Sequence, residues 1–372
     1  MKKLLLVANV AKEHVLKFHV PTIKALVEDG WMVDVACGGK EEIPYCRMQY
    51  ELPIDRSPFK THFIKAIKQL RHLIEAEKYD IVYCHTEVGG IVARLAASKS
   101  RKKGTKVVKL DHGLYFFKGA SVWNWLVHYP IDKWLSFKTD TFILINQEDY
   151  NLVHNRFKTC QSYLINGIGV DFSKFPTIEQ SVREQYRNIL NIPQDAFVMI
   201  YLAEISENKN QSYLLNGLKA IMAEDRNVYL VLAGRDLMDG QLERYAEQLE
   251  IKEYVRFLGW RNDVCNLYAM SDICTASSIR EGFGINIVEA MYCGVPVVAT
   301  NNRGHSTIIH DGENGLLVDL HNIGSFVDAV RKLKKSPIEA KRMALNASKE
   351  IQKYSSEEIT TELVKLLNNE IL

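Results

Sequence analysis

The 372-residue chain contains no C-x-x-C pair, no internal repeat, no low-complexity tract and no apolar run approaching the length of a membrane span. Each absence excludes a class. Without about 20 consecutive apolar residues, no transmembrane helix is expected. Its seven cysteines (37, 46, 84, 160, 265, 274 and 293) are scattered and odd in number. That pattern suits reduced thiols in a cytosolic protein better than a disulfide framework or a zinc–cysteine site. Cys37, Cys84, Cys274 and Cys293 lie among apolar neighbours and read as small core residues. The opening MKKLLLVANVAKEHV is interrupted by Asn9 and Lys12, so it reads as a buried first strand rather than a signal peptide.

What is present fits a globular protein: 47% hydrophobic and 25% charged residues. The length exceeds one ordinary core and suits two domains. The net charge of +2 conceals an asymmetry, because residues 1–168 hold 25 Lys and Arg against 17 Asp and Glu. A basic first half and an acidic second half predict an anionic partner for the former, a membrane surface or nucleic acid. Ordinary surface variation produces the same split.

Apolar β-branched runs alternate with helical patterns through the first half. LLLVANV, MVDVACG, DIVYCH, KVVKLDHG and TFILIN read as buried strands, most of them ending in Gly, His or Asn. HVPTIKALVEDG, THFIKAIKQLRHLIEAEK and GIVARLAASKSRKKG read as the helices between them. Such alternation predicts a doubly wound parallel sheet, with ligands beyond the carboxyl ends of its strands, where His85 and His112 lie. After YLINGIGVDFSKFP the pattern restarts with FVMIYLAEI, VYLVLAGRD, YVRFLGW, ICTASS, VPVVAT and NGLLV as strands. The expected organisation is therefore an N-terminal domain over 1–165 and a C-terminal domain over 166–350. A terminal helix follows over 351–372, with Ile359, Leu363, Leu366 and Leu367 at helical spacing.

The stretch beginning at Ser277, SSIREGFGINIVEAMYCGVPVVAT, is the most specific in the chain. Glu281 and Glu289 flank Gly282 and Gly284, and an amphipathic run follows. A helix N-terminus behind glycines offers free N–H groups and partial positive charge to a phosphate. Carboxylates accept hydrogen bonds only from donors, of which sugar hydroxyls are the obvious kind. Together they predict a ligand with phosphate and polyol, a nucleotide sugar. A bare pair of glutamates at this spacing is also what a helix with two surface carboxylates shows; here the surrounding EGFG, EAM, GVPVVAT, RGH and DGENGLLV accompany it.

This segment resembles the E-x7-E signature of retaining family-4 glycosyltransferases of the GT-B fold, in particular their capsule and exopolysaccharide branch. The resemblance runs from Lys3 to about Val318. It implies two Rossmann-like domains facing across a cleft, the second binding a UDP-sugar. Glu281 would contact the donor sugar and Glu289 the ribose diol, with the backbone around Gly282, Phe283, Gly284 and Ile285 on the diphosphate. Trp260 and Arg261 would face the base. Family members carry G-R-x4-K after the first strand of this domain. Here AEISENKN keeps the lysine as Lys209 and replaces the arginine with Glu204, which is expected to orient Lys209 by a charge-assisted hydrogen bond. DHGLYFFKGA resembles the family's strand-end His-Gly motif and places His112 at the reacting sugar, with Asp111 and Tyr115 departing from the usual residues. His14 and His19 in KEHVLKFHVP, His85, Gly89 and Gly90 in HTEVGG, and Tyr115 would form the acceptor side; histidines and glycines at strand ends also serve tight turns.

No D-x-D motif occurs, and the family retains anomeric configuration without a metal, so neither metal nor cofactor is expected beyond the UDP-sugar donor. The implied acceptor is a polyprenyl-diphosphate-linked saccharide, which places the protein in the cytoplasm, peripheral on the inner leaflet, with no nucleic acid partner. Two segments fit an anionic membrane surface. One is a basic amphipathic helix carrying Phe63, Ile67, Leu70 and Ile74 with Lys60, Lys65, Lys68 and Arg71, a pattern that more often packs on its own sheet. The other is the aromatic stretch around Trp123, Trp125, Tyr129 and Trp134, although aromatics also build cores. The alternatives are a UDP-sugar epimerase or pyridoxal-dependent phosphorylase of like architecture, and a non-catalytic nucleotide-sugar-binding partner of another transferase.

Overall fold

The structure is a computed structural model that describes residues 1–54, 62–157, 161–176 and 179–370. The chain divides into two compact units, Met1–Gly169 with Ser356–Leu372, and Val170–Ser355. Lys60 and Cys160 lie outside the described residues.

The first unit is built on a seven-stranded sheet: β1 (Lys3–Val10), β2 (Met32–Gly38), β3 (Met48–Glu51), β4 (Ile81–Cys84), β5 (Lys106–Asp111), β6 (Thr141–Leu144) and β7 (Gln161–Leu164). Their order is β3-β2-β1-β4-β5-β6-β7, with every pairing parallel. A parallel sheet covered on both faces needs strands apolar on both faces, and β4 and β6 are buried at every position. That is why continuous runs such as DIVYC and TFILI betrayed them. β3 escaped the sequence reading because it is a short, partly exposed edge strand without such a run.

The helix His62–Glu77 buries Ala66, Leu70 and Ile74 in the core under β1 and β4, and Phe63, Ile67 and Leu73 pack against the same cluster. Its apolar face is therefore spent on its own sheet, the packing role that such a helix ordinarily has, and is not offered to a membrane. The aromatic stretch behaves differently. Ser121 caps a helix over Val122–Ser136 by accepting from the Asn124 N–H, and that helix leaves Trp123, Leu126, Trp134 and the following Phe137 more than half exposed. Its inner side anchors through Asp132, which accepts from buried Arg94 at 2.6 Å and Lys109 at 3.3 Å.

The second unit has six parallel strands: β8 (Phe197–Leu202), β9 (Val228–Ala233), β10 (Val255–Phe257), β11 (Ile273–Ala276), β12 (Val297–Thr300) and β13 (Leu316–Val318). They are ordered β10-β9-β8-β11-β12-β13. Here too each strand coincides with a β-branched run. Arg187, buried against this unit, donates to the Met270, Gln194 and Ala196 carbonyls and pairs with Asp272 at 2.9 Å.

The terminal helix Ser356–Asn369 belongs to the first unit, where it packs on the helix Val20–Glu28. Ile359, Leu363 and Leu367 are buried, and Asn368 accepts from Lys2 and Trp31 while donating to Asp29. Leu363→Ala should therefore cost about 2–5 kcal/mol and lower the melting temperature. A loss under about 0.5 kcal/mol, typical of surface substitutions, would show that the helix does not dock.

Candidate functional site

In the second unit the strand order reverses between β8 and β11, and the loops leaving these two strands carry the candidate residues Lys209 and Glu281. The β8 loop runs from Ala203 to Asn210 and the β11 loop from Ser277 to Gly284. They are laced together: Ser277 Oγ donates to the Lys209 carbonyl at 2.8 Å, the Ile279 N–H to Asn208 O at 2.8 Å, and Asn208 Nδ2 to Arg280 O at 3.0 Å. Gly234 lets the β9 loop pass beneath, because a Cβ there would stand 1.9 Å from the Ala203 oxygen.

Glu281 is the centre of this arrangement. Its Oε1 accepts from Ser278 Oγ at 2.7 Å and pairs with Lys209 Nζ. Tyr201 OH in turn lies 2.6 Å from Ser278 Oγ, within a buried spot. Burial alone would raise the Glu281 carboxyl, but Lys209, His305 and these bonds outweigh it and hold the carboxyl below its usual range. Glu281 is thus a fixed anion. The expected partnership of Glu204 with Lys209 is corrected: Lys209 reaches Glu281 instead. Glu204 is exposed, and its backbone carbonyl, not its carboxylate, accepts from Gln211 Nε2. The lysine has three donors, so it can hold Glu281 and still face an anion.

Gly284, at φ +115°, turns the chain into the helix Ile285–Tyr292. Gly304 makes this loop possible from behind, since a Cβ there would lie 2.7 Å from Glu281 Cβ and 2.8 Å from the Phe283 nitrogen. His305 backs Gly284. Its Nδ1 lies 2.7 Å from the Thr300 carbonyl oxygen and so carries the hydrogen, leaving Nε2 buried without a partner among the described residues. Phe283 is buried edge-on to Tyr354. One turn into the helix, burial pushes the Glu289 carboxyl up to about 7, opposed by Tyr268 and Lys174. Trp260 and Arg261 stand after β10, at the sheet edge. Trp260 is largely exposed, while Arg261 pairs with Asp263.

In the first unit the order reverses between β1 and β4. His14 and His19 follow β1, His85 ends β4, and His112 follows β5. The structure brings all four together, with one ring nitrogen of each within 4.8 Å of the others. His85 is fully buried and His19 nearly so. Burial pushes each imidazole well below its usual value, to about 3 for His14 and about 4 for His112, and the rings oppose one another's protonation further. All four are neutral at physiological pH. Lys109, also buried, lowers His112 and is itself held by Asp111 at 2.8 Å and Asp132 at 3.3 Å. Asp111 also accepts from the Gly113 N–H at 3.0 Å, so this departure from the family motif shapes the His112 turn.

Gly89 and Gly90, expected on the acceptor side, stand at tightly packed positions. Both are buried; a Cβ on Gly89 would meet Thr86 Oγ1 at 2.8 Å and Asn9 Oδ1 at 3.0 Å, and one on Gly90 would meet Lys109 Cε at 3.3 Å. Tyr115 is exposed and stacks on His128, which pairs with Glu87. Sequence reasoning gave no role to Ser278, Tyr201, His305 or His128. The RGH run was noticed as context, and its glycine and histidine were the available signal.

The half-buried Glu289 makes a measurable claim. A carboxyl raised from about 4.5 to about 7 costs the fold nothing below pH 4.5, where it is protonated in both states. The cost grows as the unfolded chain alone ionises and is complete above pH 7. Glu289→Gln should therefore stabilise the protein at pH 8 by up to about 3 kcal/mol relative to its effect at pH 4.5. Melting curves that shift equally at both values would refute the assignment.

Comparison with known proteins agrees with this geometry. Residues 182–350 match the family model of glycosyl transferases group 1, and residues 3–146 that of glycosyl transferase 4-like proteins. The putative glycosyltransferase EpsD of Bacillus subtilis (strain 168) is 37% identical over 370 residues, 98% of this chain and 96% of the relative. An Escherichia coli UDP-Gal:alpha-D-GlcNAc-diphosphoundecaprenol alpha-1,3-galactosyltransferase is 28% identical over 273 residues, 72% of this chain and 69% of that one. Among solved structures, Anabaena Alr3699/HepE in complex with UDP and glucose superposes with a TM-score of 0.80 at 21% identity, covering 99% of this chain and 100% of that chain. A glycosyltransferase from Rickettsia africae ESF-5 reaches 0.82 at 16% identity, covering 100% and 98%. With two parallel-sheet units of this topology, an ordered Glu281–Glu289 loop-helix and a near full-length relative, the fold is GT-B and the chain belongs to the group 1 glycosyltransferases.

Proposed function

We propose that the protein transfers a hexose or N-acetylhexosamine from a UDP-sugar to a polyprenyl-diphosphate-linked saccharide, with retention of anomeric configuration and without a metal ion at the diphosphate. The observation that carries the donor half is the fixed carboxylate of Glu281, locked by Lys209 and Ser278 ahead of the Gly284 helix N-terminus. An acceptor oxygen preset by two donors accepts a sugar hydroxyl with little further ordering. The remaining Lys209 hydrogens and the helix N–H groups supply positive charge for the leaving diphosphate. Glu289 receives the ribose diol. His112, an uncharged imidazole, serves the transferring sugar, and the leaving phosphate takes the acceptor proton on the same face.

The UDP in the HepE complex and the GlcNAc-diphosphoundecaprenol in the E. coli relative's name support these choices of donor and acceptor class. A two-carboxylate mechanism of the glycosidase kind is not favoured, since Glu281 is tied to Lys209 and Glu289 is assigned to the ribose. An epimerase would form a sugar isomer without any acceptor, and a phosphorylase would show pyridoxal absorbance.

The membrane contact we assign to the helix Val122–Ser136. Trp123, Leu126, Trp134 and Phe137 are exposed, and Lys138 Nζ lies 5.1 Å from the Trp134 ring centre. Exposed aromatics beside lysines suit an anionic bilayer interface. Among the described residues no helix is long and apolar enough to cross a membrane.

Thermal shift against UDP-, GDP- and dTDP-sugars should single out one UDP-sugar, because a ligand stabilises in proportion to the logarithm of its concentration over its dissociation constant. Glu281→Gln should lower kcat by about 10²–10³-fold while leaving the melting temperature of the free protein within a few degrees. Wild-type turnover by that variant would sink the role. In liposome flotation, the chain should float with anionic vesicles in a salt-sensitive manner, and Trp123→Ser with Trp134→Ser should abolish it. Flotation indifferent to both changes would remove this helix from the membrane contact.

A further inference from the structure

Four histidines from three separate loops converge where β1 and β4 part, and nothing in the sugar-transfer reading requires four. His14 sits in a π-helical turn, Ala11–Val15, a rare geometry that tends to mark functional sites. His85 is followed by Thr86 at φ +61°, a left-handed value that a β-branched residue seldom adopts. These backbone departures aim the two rings into the same spot.

Three ring nitrogens there lack protein partners among the described residues. Both nitrogens of His85 and Nε2 of His112 are buried with none among the described residues. His14 Nε2 and His19 Nε2 stand 3.1 Å apart, where two lone pairs repel unless a hydrogen or a cation lies between them. A buried polar atom without a partner costs about 1–3 kcal/mol, so three such nitrogens in one cluster call for a ligand. Among the described residues no carboxylate belongs to the cluster, so the donor set is nitrogen alone.

We infer that His14, His19, His85 and His112 form a binding site for one divalent transition-metal ion of the zinc class. Imidazole nitrogens select zinc, cobalt, nickel or copper and not magnesium or calcium, which prefer oxygen. Four nitrogens at about 2.0–2.1 Å from a tetrahedral ion lie about 3.3–3.4 Å from one another. The His14–His19 pair is already near that spacing, and the widest allowed separation of 4.8 Å closes by ring rotation. The half-buried rings of His14 and His112 mark the side from which the ion enters. This inference goes beyond the transfer reaction: a bound ion engages the His112 lone pair, so occupancy restrains transfer.

The full chain, stripped with chelator, is titrated with Co²⁺ and then Zn²⁺. One equivalent of Co²⁺ should produce ligand-field bands in the visible, bleached by one equivalent of Zn²⁺, with Mg²⁺ giving no heat or spectral change. His14→Gln should weaken Zn²⁺ binding at least about tenfold, while His72→Gln, an exposed position on the helix His62–Glu77, should not. X-ray absorption of the zinc-loaded wild-type chain needs no variant and should show three or four imidazole nitrogens at about 2.0–2.1 Å. A purely aqueous cobalt spectrum, an oxygen-only zinc shell, or binding unchanged by His14→Gln would overturn the site. Sugar transfer by the stripped protein is measured separately, so the failure of one reading leaves the other standing.

Discussion

In each parallel sheet the strand order reverses once, between β1 and β4 and again between β8 and β11, and the placement of functional side chains depends on that reversal. Right-handed crossovers send the chain to opposite faces of the sheet from two neighbouring strands. The loops leaving their carboxyl ends must therefore diverge, and the gap they leave is lined by whatever residues follow those strands. In the second unit these are Lys209, Ser278 and Glu281; in the first they are His14, His19 and His85. The rest of each fold serves to keep those loop ends rigid.

Rigidity is achieved differently in the two units. The second relies on backbone: Gly234 and Gly304 permit approaches no side chain would allow, Gly284 supplies a turn at φ +115°, and hydrogen bonds between the β8 and β11 loops lock their spacing. The first relies on buried charge. Arg94 and Lys109 face Asp111 and Asp132, two cations against two anions, and this balanced group lies under the His112 turn and anchors the helix Val122–Ser136. Buried ion pairs add little net stability compared with apolar packing, yet breaking one is costly because its partner stays buried and uncompensated. That asymmetry fixes the geometry of the turn. It also lets the outer face of the same helix stay apolar and exposed without loosening the unit.

Much of the fold was legible in the amino-acid order because fully buried parallel strands must be apolar on both faces. β1, β4, β5, β6 and the strands of the second unit stand out as β-branched runs for that reason, whereas edge strand β3, half exposed and four residues long, does not. The Glu281–Glu289 loop-helix was legible because it is local: glycines, carboxylates and helix start lie within nine residues. The partner of Lys209 was misjudged because Glu204 is near in sequence while Glu281, 72 residues away, is near in space. A glycine demanded by packing and one demanded by a ligand look alike in one dimension, and at Gly89 and Gly90 only the structure reveals the packing demand.

By itself the sequence determined the alternation of strands and helices, the two-part organisation and the glycine-framed phosphate and polyol signature, since each follows from short-range periodicity and local backbone chemistry. Only the tertiary structure decided which face of the helix His62–Glu77 is buried, which carboxylate holds Lys209, and that four histidines spread over about a hundred residues meet at one point. Those outcomes depend on which strands become neighbours. Strand neighbours are chosen by burial of the whole sheet, a long-range condition that no local stretch of the chain encodes.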